Sequence, residues 1–157
     1  MEIPPAFKFL LKPLIIVDFS NPNLGIWALA MLILVFLSAL LSGSEVAIFG
    51  LSNSQKLNLS NETDNKNSNR VLKLLESPKK LLATILIGNN LVNVAIVIVS
   101  SIIMSEIFPT KTQNFITSFI IQVVSVTFII LLFGEVIPKV YANSYNIRFS
   151  KIMALPI

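Results

Sequence analysis

Apolar residues in this chain gather into three long runs separated by polar stretches, and that pattern predicts three membrane-crossing helices. The runs cover about residues 24–49, 81–105 and 115–141, each at or above the roughly 20 residues of helix that a hydrocarbon core requires. Ahead of them, Phe7 to Val17 is apolar but broken by Lys8, Lys12 and Pro13, and the turn-like run Ser20, Asn21, Pro22, Asn23 follows. Residues 1–23 therefore read as an extracellular or interfacial segment. A signal peptide is the weaker reading, because Pro13 interrupts the stretch and no small-x-small cleavage site follows.

Between the first two runs, residues 51–80 form a polar connector rich in Asn and Ser. Its middle, Ser60 to Asn69, is expected to be a mobile loop. Arg70 to Glu76 repeats Val71, Leu74 and Leu75 at helical spacing and is expected to lie on the membrane surface. The loop with Pro109 and Lys111 is too short to hold a domain. After Tyr141 the chain turns polar, passes Arg148 and Lys151, and becomes apolar again toward Ile157. The expected fold is an all-α integral membrane domain over residues 24–157. It has three transmembrane helices, an amphipathic cytoplasmic linker and a juxtamembrane C-terminal segment.

Orientation follows from basic residues in short loops, which resist translocation. The connector carries Lys56, Lys66, Arg70, Lys73, Lys79 and Lys80, the second loop only Lys111, and the stretch after the third run Lys139, Arg148 and Lys151. The connector and C-terminus should face the cytoplasm and the N-terminus the outside, with Lys8 and Lys12 as mild counter-evidence. The same rule accounts for the net charge of +4, so nucleic acid is not an expected partner.

Composition narrows the chemistry. With 54% hydrophobic and 13% charged residues, against about 25% charge in a soluble domain, the expected solvent is lipid. The chain has no cysteine and no histidine. Thiol catalysis, thiolate metal sites and a Ser-His hydrolase are thereby excluded, and Asp18 and Asp64 lie outside the runs, so an enzyme is not expected. Any metal site must be built from oxygen.

Each run carries one polar cluster: Ser42-Gly43-Ser44-Glu45 on the first, Gly88-Asn89-Asn90-Leu91-Val92-Asn93 on the second, and Gly134-Glu135-Val136-Ile137-Pro138-Lys139 on the third. Small residues let helices pack closely and Ser or Asn side chains bond across helix interfaces. Packing is the simpler reading for Ser38, Ser42, Ser100 and Ser101. Asn89, Asn90 and Asn93 crowd one helical face that is too polar for lipid. Glu135 weighs most, since a mid-bilayer carboxylate costs about 2.5 kcal/mol or more. It should face a cavity or a cation, or else pair with Lys139, although that lysine lies near the boundary where it would rather snorkel to water. Pro138 has no N–H for the Gly134 carbonyl, which predicts a kink beside Glu135. Ser, Asn, backbone and carboxylate oxygens together suit a hard cation such as magnesium, calcium or sodium.

These three motifs, in this order and spacing, resemble the transmembrane domain of the CNNM/CorC (CorB) magnesium and cobalt transporters, over roughly residues 24–157. The resemblance implies a homodimer in the plasma or inner membrane, each protomer holding a largely dehydrated Mg²⁺. Carried over by position, Ser42, Gly43 and Ser44 supply the first-helix part of the site, Asn90 the second-helix ligand and Glu135 the third-helix carboxylate, with Asn89 and Asn93 in support. Val46 stands where the family usually has Thr, which weakens any role for that position. Such proteins normally continue into cytoplasmic paired CBS domains that bind ATP-Mg²⁺, so residues 24–157 are expected to be a membrane domain truncated at its C-terminus, with CBS domains as candidate partners in the full-length protein. The expected function is Mg²⁺ or Co²⁺ transport or efflux. The alternative is a non-transporting interaction or dimerisation module stapled by a structural ion or by a Glu135–Lys139 pair.

Overall fold

The computed structural model describes residues 22–62, 65–107 and 115–157, and every element among them is helical. The expectations for residues 1–21 and for the loop at Pro109 and Lys111 lie outside the described residues. In chain order the helices are α1 (Pro22–Phe49), α2 (Asn53–Asn61), α3 (Lys66–Leu75), α4 (Pro78–Ile107) and α5 (Phe115–Ile129), then a π segment (Ile130–Val136), α6 (Ile137–Ser144) and α7 (Asn146–Met153). Three stretches, Asn23–Phe49, Pro78–Glu106 and Phe119–Ser144, are long and apolar enough to cross a membrane. Their lipid-facing character shows in exposed Phe36, Leu32, Ile87, Leu91, Phe128 and Val140, side chains that would destabilise a protein surrounded by water.

α1 is the central helix and packs against α4, the π segment, α6 and α7. The third span is one continuous rod only in outline. Where the sequence predicts a kink, the backbone widens into a π turn, and the Ile137 N–H reaches the Leu132 carbonyl, five residues back. Pro138 follows as the second residue of α6 and is buried. A proline leaves the carbonyl four residues before it without an N–H partner and crowds that turn, and a wider turn relieves the crowding. Such π turns are rare and concentrate at functional sites.

The connector departs from expectation. Ser60 to Asn69 is not a loop: α2 and α3 leave only residues 62–65 between them. Local capping explains the difference. Ser52 accepts from the Gln55 N–H while the Gln55 side chain accepts from the Ser52 N–H, a capping box, and the Asn65 side chain accepts from the Asn67 N–H. Nor does the apolar face of α3 lie free on the membrane. Val71 is fully buried against Leu51, Leu59 and Ala154, and Leu74 and Leu75 also pack against Ile48, Leu81 and Ile85. The connector is thus a folded cap on one end of the bundle, tied to α7 by Glu62. That carboxylate accepts from Lys151 at 2.6 Å and from Ser68 at 2.7 Å, and these bonds hold it below the usual carboxylate range.

Candidate intramembrane site

The three polar clusters lie at comparable depth. Counting from the connector side at about 1.5 Å per residue, Ser42 is about 10 Å into its span, Ser38 and Asn89 about 16 Å, and Glu135 about 13 Å. Glu45 and Lys139 lie nearer the boundary. Helical geometry alone therefore brings these groups to neighbouring levels, and the packing of α1 against α4 and the π segment brings the helices together.

Ser38 is the hub between α1 and α4. It is fully buried, and its hydroxyl lies 2.8 Å from Asn93 Oδ1 and 3.2 Å from Asn89 Oδ1. Its single proton is shared between two amide oxygens. Gly134, in the π segment, approaches the same hydroxyl from the third span: a methyl group in place of its hydrogen would lie 2.9 Å from Ser38 Oγ. Gly88 faces Leu41 across the α1–α4 contact, and Gly43 faces the ring of Phe149 on α7, whose Cζ would be 2.6 Å from a methyl group there. Gly134 and Gly43 are thus sites of close helix approach, whereas Gly88 makes ordinary contact with Leu41.

The remaining groups divide into satisfied and unsatisfied. Ser44 donates to the Leu41 carbonyl at 2.6 Å. Ser42 is buried and its hydroxyl has no hydrogen-bond partner among the described residues. Asn90 is exposed at mid-span and makes no hydrogen bond among the described residues. Glu135 is half-buried, and the alternative pair with Lys139 does not form: Lys139 lies 3.8 Å from Glu45 instead. That pair is part-exposed near the boundary and contributes little to stability. Among the described residues no three acidic side chains gather where they could hold a metal. A cation here would rest on Glu135 and on neutral hydroxyl, amide and carbonyl oxygens.

Two features were not singled out as functional in the sequence. Ser38 reads as a packing residue until its two Asn partners are seen. Gln122, on α5, donates to Ser101 at 2.6 Å and links the second span to the third. A lone Gln within an apolar run was the available signal.

Residues 29–157 match the family described as the cyclin M transmembrane N-terminal domain. The chain is 34% identical to a UPF0053 protein of Haemophilus influenzae over 120 residues, which is 76% of this chain and 27% of that protein. It is also 34% identical to the UPF0053 inner membrane protein YfjD of Escherichia coli over 109 residues, 69% of this chain and 24% of the relative. The chain therefore matches about a quarter of the length of these two relatives.

Proposed function

The chain belongs to the cyclin M transmembrane-domain family, and on that premise we propose that it carries a divalent cation, Mg²⁺ or Co²⁺, across the membrane. The observation that carries this reading is Glu135: a carboxylate at membrane depth, on a π turn, with no hydrogen bond or ion pair among the described residues, its nearest sequence candidate being taken by Glu45. Irregular backbone and an uncompensated acid inside a bilayer are costly unless they line a cavity or meet a cation. The unpartnered Ser42 hydroxyl supports the same reading.

In the proposed mechanism Glu135 attracts the cation. Ser42, Ser44 and Asn90 replace part of its water, Gly43 completes the first-helix part of the site, and Asn89 and Asn93 hold the second helix in register through Ser38. Mg²⁺ sheds water reluctantly and demands oxygens at about 2.0–2.1 Å, so one full charge with several neutral donors suits binding that must also be released. In this reading the protein works as a homodimer, as the family resemblance implies. A plasma or inner membrane location is supported by the description of the Escherichia coli relative as an inner membrane protein.

Reconstituted vesicles with a Mg²⁺-sensitive dye test the proposal. Glu135→Gln and Asn90→Ala should each lower flux by at least roughly tenfold, as expected where one ligand of a charged cargo is lost. Wild-type flux in both variants refutes transport through this site. The second reading, a non-transporting staple, is favoured by the self-satisfied Ser38–Asn89–Asn93 cluster. It predicts no flux in the wild-type protein, and dimers that weaken in Glu135→Gln because the acid holds the stapling ion.

A further inference from the structure

A cavity of about 390 Å³ opens where the second span enters the membrane, away from the three motifs. Arg70 and Lys73 of α3 and Lys80 of α4 line it, with Leu81 and Ala154 forming an apolar wall and Thr84 among the lining residues. Thr84 lies six residues past Pro78, about 9 Å along the helix axis, so the cavity runs from headgroup level into the upper acyl region.

None of the three cations forms an ion pair among the described residues. Glu76 is the only carboxylate between Arg70 and Thr84, and it forms no ion pair among the described residues. Elsewhere in the molecule Lys139 pairs with Glu45 and Lys151 with Glu62. Arg70 makes one neutral bond, to Asn67 at 3.4 Å. Three cations around one cavity repel each other, and a doubly acceptor-rich anion relieves that repulsion. A guanidinium fork and two ammonium groups match phosphate oxygens, and basic pockets at the ends of membrane helices suit anionic headgroups. The apolar wall has no use for a free ion and fits a hydrocarbon chain.

We propose that this cavity binds the phosphate group of an anionic phospholipid, with Arg70, Lys73 and Lys80 on the phosphate and the acyl chain starting along Leu81 and Ala154. The proposal is independent of the transport reading. It is tested on the full chain in neutral detergent, by native mass spectrometry with phosphatidylglycerol, phosphatidylcholine and inorganic phosphate as probes. The triple variant Arg70→Gln, Lys73→Gln, Lys80→Gln should weaken phosphatidylglycerol binding by at least roughly tenfold. A control triple, Lys56→Gln, Lys66→Gln, Lys79→Gln, removes the same charge outside the cavity and should leave binding within about twofold, since it removes no group that touches the phosphate. Thr84→Phe fills the acyl side without altering charge, and should weaken the lipid but not inorganic phosphate. Equal losses in both triples, equal binding of phosphatidylcholine, or unchanged lipid binding in Thr84→Phe overturns the proposal. Inorganic phosphate binding as tightly as the lipid overturns the lipid as its source.

Discussion

Ser38 shows how a single small side chain can set the spacing of three helices. Its hydroxyl is committed to Asn93 and Asn89, and only glycine at position 134 leaves room for it. Gly134→Ala should push the hydroxyl aside and cost about 1–2 kcal/mol, the worth of an interhelical polar contact in a bilayer. The same change made in a Ser38→Ala background should cost distinctly less, because the clash and the lost bonds share one atom. Unfolding in mixed micelles measures both, and equal costs in the two backgrounds would disprove the coupling. Position 43 differs. The atom in the way there is the far end of a long side chain, which swings aside with a small change at χ1, so Gly43→Ala should be milder for stability than Gly134→Ala when compared by the same unfolding assay.

At the scale of elements, the connector is where pH acts. Because Lys151 and Ser68 hold the Glu62 carboxyl below its ordinary range, the folded state binds that proton less readily than the unfolded chain does. The stabilisation is therefore complete near neutrality and fades as pH falls from the ordinary carboxylate range through the lowered value. Hydrogen exchange of α3 amides, corrected for intrinsic rates, should show lost protection on acidification in the wild-type protein. Glu62→Gln should show weakened protection that no longer depends on pH in this window. The connector also marks where sequence reading stops. Its Asn and Ser content reads as loop, yet Ser52 and Gln55 stand three apart as a capping box that was legible in principle. The contact of Val71 with Leu51 and Leu59 was not legible, because it depends on where α1 and α2 end.

For the molecule as a whole, the three spans were plain from apolar run length, since lipid demands a minimum of helix and nothing else in a polar chain mimics it. The candidate site was legible as three motifs, but their partners were not. Lys139 is four residues from Glu135 and pairs with Glu45 on another helix, a choice that depends on how the helices rotate. The absence of cysteine gives a clean background for mapping orientation. With Ser60→Cys, a membrane-impermeant maleimide should label inverted vesicles and spare sealed, right-side-out ones if the connector is cytoplasmic. The opposite pattern would reverse the assignment of both termini.

The π segment bonds with one residue more in its loop than an α-turn uses, and that surplus need not stay where it is. Shifting it by one position along the rod would swing the acid at 135 through about 100° while the backbone stays helical on either side. A side chain can in this way be turned from one neighbouring rod toward another by a travelling wrinkle, at nearly constant depth and with those rods standing still.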